Sequence, residues 1–121
     1  MNLPKLKAEI VRYSKSNGYE ASEFHSIACE CGHTEFRVFS DDNEGGCCAV
    51  CADCNRRVSV CDSADYIEDV VQNICRCGHE ELKLMTGAAL YPDSTDISWV
   101  YVGASCPKCG LAGVYVDWKE R

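Results

Sequence analysis

The stretch Cys29-Glu-Cys31-Gly-His33-Thr-Glu35-Phe36-Arg-Val38 returns further along the chain as Cys75-Arg-Cys77-Gly-His79-Glu-Glu81-Leu82-Lys-Leu84. The offset between the two copies is constant over these positions. A Cys-x-x-Cys pair follows each copy, Cys51/Cys54 after the first and Cys106/Cys109 after the second. The repeat therefore supplies two sets of four thiols, the number of ligands that a tetrahedral structural metal ion takes.

Zinc and iron both accept four thiolates in a tetrahedral array, and we expect zinc. The residue after the second cysteine of such a turn often has a positive φ, which glycine adopts freely and asparagine tolerates. Glycine follows that cysteine in three of the four turns, and Asn55 follows it in the remaining one. The predicted ligands of two zinc ions are Cys29, Cys31, Cys51, Cys54, Cys75, Cys77, Cys106 and Cys109.

Three of the eleven cysteines, Cys47, Cys48 and Cys61, fall outside these sets. Cys48 also forms a Cys-x-x-Cys with Cys51, but the repeat aligns Cys48 with Gly103, which has no sulfur. We interpret the three as small buried apolar residues, and a redox pair is the alternative.

The duplication favours ligand sets within each copy. A crossed set that joins Cys51/Cys54 to Cys75/Cys77 is also open, because these pairs are close in the chain. His33 and His79 follow the first turn of each copy at matching positions. Since the four cysteines already complete each set, we expect these histidines to hydrogen-bond with backbone or solvent beside the site.

Alternating apolar residues predict three strands around each set of cysteines. Turn-forming residues at 41–46 and 87–96 separate the first strand from the second in each copy. The clearest predicted strands are Phe36–Phe39, Arg57–Cys61, Leu82–Met85, Ile97–Val102 and Gly113–Val116.

Each half of the chain resembles a zinc ribbon, a module in which two ligand-bearing turns are joined by a three-stranded antiparallel sheet. The resemblance covers residues 27–62 and 73–118. It departs from the usual pattern in the Cys-x-Cys half, where zinc ribbons generally have Cys-x-x-Cys. The resemblance implies a metal-stabilised fold and no particular function, because zinc ribbons serve many unrelated proteins.

Two helices are predicted outside the modules. Residues 3–16 have an apolar stripe at helical spacing (Leu3, Leu6, Ile10 and Tyr13), and Asn17-Gly18 is a plausible end. We expect this helix to pack on the first module, and docking to a partner is the alternative. A short linking helix is predicted between the copies at 63–72, with acidic residues in its first turns and apolar residues on one face.

Together these features predict a small, metal-stabilised, mainly β protein. An N-terminal helix precedes two zinc-ribbon-like, three-stranded antiparallel modules, which a short helix joins. The predicted divisions are 1–26 for the helix and its linker, 27–62 for the first module, 63–72 for the linking helix and 73–121 for the second module.

The charge and the cysteines indicate the setting. The formal net charge is −7, and four thiolates around each of two divalent ions would make it more negative by about 4. No apolar stretch at the start of this sequence resembles a signal peptide. Closely spaced cysteine pairs in a reducing compartment more often hold a metal than form disulfides. We therefore expect a cytoplasmic protein.

The site pattern favours a binding role over catalysis. A catalytic zinc keeps one coordination position open, whereas each set here has four thiols, and no nucleophile with a clear base is present. We predict a non-enzymatic protein-interaction module, in the manner of an acidic inhibitor or immunity-type protein that binds a basic protein. The candidate contact residues, which could also be only a solvated face, are Asp41, Asp42, Glu44, Asp62, Asp65, Glu68 and Asp69.

A nucleic-acid-associated zinc ribbon, such as a transcription or replication accessory, is the alternative function. Arg56-Arg57, the basic first helix and four aromatic residues of the second module support it, because exposed aromatics stack on bases. The acidic net charge opposes it, since phosphate binding depends on lysine and arginine. The four aromatic residues are Trp99, Tyr101, Tyr115 and Trp118.

Overall fold

The computed structural model describes residues 3–41, 43–61, 63 and 67–120, with Leu3 described in its backbone only. These residues form a mainly β protein with an N-terminal helix, as predicted. The elements are α1 Leu3–Asn17, β1 Glu23–Ser26, β2 Phe36–Asp41, β3 Gly46–Cys51, β4 Arg57–Val60, β5 Val71–Asn73, β6 Glu81–Leu90, β7 Ile97–Ser105 and β8 Ala112–Lys119. No helix among them is long and apolar enough to cross a membrane.

The strands form one eight-stranded sheet whose central path is β4-β3-β2-β6-β7-β8. All of its pairings are antiparallel. The two predicted three-stranded units are present as β2-β3-β4 and β6-β7-β8, and β2 and β6 join them edge to edge. The two three-stranded units thus share a continuous sheet, while the predicted zinc-ribbon modules and the division of the chain into domains stay predictions.

The two copies are related by an approximate two-fold axis. Where β2 meets β6, Phe36 pairs with Leu82, and these two residues occupy equivalent positions in the repeat. The short strand before each Cys-x-Cys turn, β1 or β5, pairs with the other copy: β1 with β6, and β5 with β2. The register repeats as well, since Ser26 pairs with Met85 and its counterpart Gln72 pairs with Phe39. Each copy therefore contributes a strand to its neighbour.

One face of the sheet holds the main core, which includes residues from both copies. Phe36, Val38, Leu82 and Val102 are fully buried in it, together with the buried ligand cysteines. Burial of these apolar side chains stabilises the short strands, whose residues have only a modest intrinsic propensity for β structure.

Helix α1 covers the opposite face of the second copy. Leu6 and Ile10 are fully buried there in a second cluster with Met85, Ala89 and Tyr101. The expectation that the helix packs on the first module was therefore wrong.

The reason lies in two glycines beneath the helix. A Cβ at Gly87 would lie 2.7 Å from Cγ2 of Ile10, and one at Gly103 would lie 2.9 Å from Ile10 and Leu6. The first copy has Asp41 and Cys48 at the equivalent positions, so only the second copy allows such a close approach. Gly87 was predicted to begin a turn, but it lies inside β6, which continues to Leu90.

The predicted linking helix at 63–72 is not confirmed. Residues 64–66 lie outside the described residues, as does Asp62 before them. The described part after them, residues 67–70, is not helical, and Val71–Asn73 form β5. In place of helical hydrogen bonds, the amides of Glu68 and Asp69 donate to the side chain of Asp41, and β5 pairs with β2.

Candidate metal centres

The eight predicted ligand cysteines lie in two groups of four. Within each group, all the sulfur atoms lie within 4.8 Å of one another. Sγ–Sγ distances are 3.5 Å for Cys29–Cys54 and 3.4 Å for the equivalent Cys75–Cys109. In a tetrahedron with Zn–S bonds of about 2.3 Å, sulfurs lie about 3.8 Å apart. Each group therefore has the ligand number and nearly the spacing of a structural zinc site.

The groups form within the copies, not across them. Cys29, Cys31, Cys51 and Cys54 make the first, and Cys75, Cys77, Cys106 and Cys109 make the second. The crossed arrangement of Cys51/Cys54 with Cys75/Cys77 is therefore absent among the described residues. In both groups two cysteines are buried and two are exposed, so each group lies at the boundary between the core and the surface.

The Cys-x-Cys turns have the same backbone structure in both copies. The amide of Gly32 donates to the carbonyl of Cys29 at 2.8 Å, and the amide of Cys29 donates to the carbonyl of His33 at 2.9 Å. The second copy repeats both bonds at 2.7 and 3.0 Å. Gly32 and Gly78 have φ values of 94° and 93°, as expected from the sequence.

The Cys-x-x-Cys turns are closed in a related way. The amide of Asn55 donates to the carbonyl of Cys51 at 3.0 Å, and that of Gly110 donates to Cys106 at 2.9 Å. Both residues have a positive φ, 62° for Asn55 and 81° for Gly110. Short-range bonds within each turn thus fix the direction of its two sulfurs.

Backbone amides favour the thiolate form of one cysteine in each group. The amide of Cys54 is the main cause that lowers the pKa of Cys51, to about 6. Burial raises the pKa of the equivalent Cys106, but the amides of Cys109 and Lys108, together with hydrogen bonds from the sulfurs of Cys75 and Cys77, outweigh it and bring that pKa to about 6.

In the absence of a cation, the pKa of another cysteine in each group is raised. The amide of His33 lowers the pKa of Cys31, but hydrogen bonds to neighbouring sulfurs and desolvation outweigh it and raise the pKa to about 12. The amide of Cys77 similarly opposes burial and sulfur contacts at Cys75, where the pKa also rises to about 12. Four adjacent thiols cannot all ionise without a cation, because each thiolate disfavours the next. A divalent ion supplies that charge.

The remaining cysteines only partly match their interpretation. Cys47 and Cys48 are buried, as predicted, and burial raises the pKa of Cys47 to about 12. Cys48 accepts a hydrogen bond from Nε of Arg57 at 3.2 Å. Cys61 is exposed, so its prediction as a buried residue was wrong. It follows β4 in a left-handed conformation, with φ 53°, which turns the chain out of the core.

The histidines contribute backbone atoms to the centres, through the carbonyls of His33 and His79 described above. The imidazole of His79 lies with the carboxylates of Glu35 and Glu81, and their ligand atoms are within 4.8 Å of one another. All three residues are half-buried, and Arg37 pairs with Glu81 at 3.8 Å. Spacing in the sequence gives no sign of this group, because its members come from both copies.

Asp41, a predicted contact residue, is buried and has a structural role. One carboxylate oxygen accepts from the amides of Asn43 and Glu44 at 3.0 and 3.1 Å, and the other accepts from Glu68 and Asp69 at 2.9 and 3.2 Å. The amides of Glu68 and Glu44 contribute most to holding its pKa below the usual 3.8. Its charge is therefore already satisfied within the fold.

The same hydrogen bonds gather three exposed acids. Glu44, Glu68 and Asp69 donate their amides to Asp41, and the three residues are exposed. We call these three residues the acidic end, since they lie beside the hairpin between β2 and β3. Asp42, Asp62 and Asp65, the other predicted contact residues, lie outside the described residues.

Most of the aromatic residues proposed for base stacking belong to the interior. Tyr101 and Trp118 are buried. Trp99 is half-buried, stacks on Tyr19 at a centroid distance of 4.8 Å and donates to the carboxylate of Asp117 at 2.8 Å. Tyr115 is half-buried against the main core. Arg56, the other predicted nucleic-acid contact, next to the Cys51/Cys54 turn, pairs with Glu30.

No family model matches the chain, and comparison with curated proteins and with solved structures found no match to either.

Proposed function

We propose that this protein is a non-enzymatic interaction module in which two zinc ions hold an acidic surface that binds a basic protein partner. Each centre has four sulfurs for one ion, so a bound zinc would have no position left for water or substrate. Zinc in such a site contributes folding free energy rather than chemistry. The function then depends on the surface that the centres hold in place.

The observation that carries this proposal is the convergence of Glu44, Glu68 and Asp69 around Asp41. A buried carboxylate with four amide donors fixes the loop that bears these side chains. A pre-ordered cluster of like charge attracts an oppositely charged partner and accelerates association, and it loses little entropy on binding. An inhibitor or immunity-type protein uses such a surface to cover the basic site of its target.

The nucleic-acid alternative has less support. Buried Tyr101 and Trp118 are not available for stacking on bases. Its remaining basis is the basic first helix and Arg57, set against a formal net charge of −7.

The proposal can be tested with a fluorescent lysine-rich peptide of mixed sequence, measured by anisotropy at several salt concentrations. Reversing Glu44 and Glu68 to lysine should weaken binding by at least tenfold at low salt, because two charges of the acidic end change sign. Reversing Glu20 and Asp53, which are exposed away from the acidic end, changes net charge equally and is the control. Equal losses in both variants would mean that only net charge matters and would contradict an acidic binding surface.

A further inference from the structure

A cavity of about 460 Å³ lies on the face of the second copy that α1 does not cover. Along β6, Gly87 and Ala89 face the helix. Thr86, Ala88 and Leu90 alternate with them and line the cavity on the other face.

The register explains why there is a depression at this place. Glu23 of β1 pairs with Ala88, which in turn pairs with Val100 of β7. Side chains in such a row stand side by side on one face of the sheet. The small methyl group of Ala88 lies between two longer side chains, and buried Val100 forms part of the floor.

The rim of the cavity is acidic. Glu23 and Glu120 line it, and no lysine or arginine among the described residues does so. Glu23 makes no side-chain hydrogen bond or ion pair with another described residue. His25, two residues further along β1, also lines the cavity. Apolar walls below and carboxylates above complement a ligand with an aliphatic stem and a cationic head.

We propose that this cavity receives the side chain of a lysine or arginine from the basic protein partner. The methylene groups of that side chain pack on Ala88, Leu90 and Val100, while its charged head is held at the rim by Glu23 and Glu120. The inference rests on the proposed function, and it adds a specific anchor to a surface otherwise described only by charge.

The cavity and the acidic end are connected through described strands. Cys61 lines the cavity just after β4, and β4 pairs with β3, which forms the hairpin with β2 that carries Glu44. A partner that inserts one cationic side chain here can place further basic residues against the acidic end.

Two probes separate the cavity from the general charge. Butylguanidinium and butylammonium are models of the arginine and lysine side chains, and their binding can be followed by NMR at the amides of Thr86 and Ala88. We expect saturable shifts at these amides with at least one of the two probes. The stronger probe identifies the preferred residue. The lysine-rich peptide, with an arginine-rich counterpart, then reports binding of a polypeptide.

Ala88→Leu fills the cavity without changing charge, and it should abolish the probe-induced shifts. Ala8→Leu adds the same group on the exposed face of α1 and should leave them unchanged. Glu23→Gln should weaken peptide binding roughly two- to fivefold, the range for an exposed ion pair, whereas Glu20→Gln, outside the cavity, is the control.

The outcomes also separate this inference from the proposed function. Peptide binding that is lost on reversal of the acidic end but unaffected by Ala88→Leu and Glu23→Gln would overturn the cavity and leave the function standing. Saturable probe shifts without any peptide binding would support the cavity and overturn the function. Absence of both would overturn both.

Discussion

Single residues in the ligand turns determine much of this structure, and the sequence shows them clearly. Glycine or asparagine after the second cysteine of each pair predicted a positive φ, and Gly32, Asn55, Gly78 and Gly110 have it. Local bonds alone close these turns, so local sequence is sufficient to predict them. Asp41 could not be interpreted in this way, because two of its four amide partners belong to Glu68 and Asp69, far along the chain.

Asp41→Asn should lower the melting temperature at neutral pH, because an amide nitrogen replaces one of the two accepting oxygens. The folded pKa of Asp41 lies below 3.8, so the stability from its charge is present above pH 3.8 and is lost as pH falls below that value. The difference in melting temperature between wild type and variant should therefore be constant from pH 8 to pH 5.

Thermal denaturation followed by circular dichroism measures this difference, with Asp96→Asn as the exposed control. A variant as stable as the wild type at pH 7 would show that the hydrogen bonds to Asp41 do not hold the loop.

Among the elements, α1 shows what periodicity can and cannot predict. Its apolar stripe predicted a helix from residue 3, and buried Leu6 and Ile10 confirm the face. Periodicity does not identify the surface that receives the stripe. That surface depends on Gly87 and Gly103, which come together only when β6 and β7 pair. β1 and β5 were missed because three or four residues give too short a pattern.

Gly87→Ala should destabilise the protein by about 1–3 kcal/mol, because its Cβ overlaps Cγ2 of Ile10 in a packed cluster. Gly113→Ala meets open space and should have little effect. In an Ile10→Ala background, which removes the overlapping methyl group, Gly87→Ala should be less costly than in the wild type. Urea unfolding of the four variants and the wild type measures this coupling. If the losses of stability from Gly87→Ala and Ile10→Ala simply added in the double variant, the packing of α1 on Gly87 would be contradicted.

For the whole molecule, the repeat predicted the two ligand sets but not how the copies join. Ligand sets depend on two turns within one copy, whereas the junction depends on β1 and β5, each of which pairs with the other copy. Such long-range pairings leave little trace in one sequence, because their hydrogen bonds involve backbone groups common to all residues.

Because β1 and β5 each pair with a strand of the other copy, we expect the two halves of the chain to fold together. A chain divided at residues 64–66 should give two fragments that assemble one to one when refolded with zinc. Each fragment alone should show little amide protection in its hairpin, since it lacks a partner strand. Hydrogen exchange and size-exclusion chromatography provide the measurement. Independent cooperative folding of each half would show that the exchanged strands are dispensable.

The central claim is that two tetrathiolate zinc centres hold this fold, and native mass spectrometry with metal analysis tests it most directly. We expect two zinc ions per chain, each bound by four thiolates, and cooperative unfolding when a chelator removes them. A chain that folds with one ion, or with disulfides in place of a metal, would contradict it.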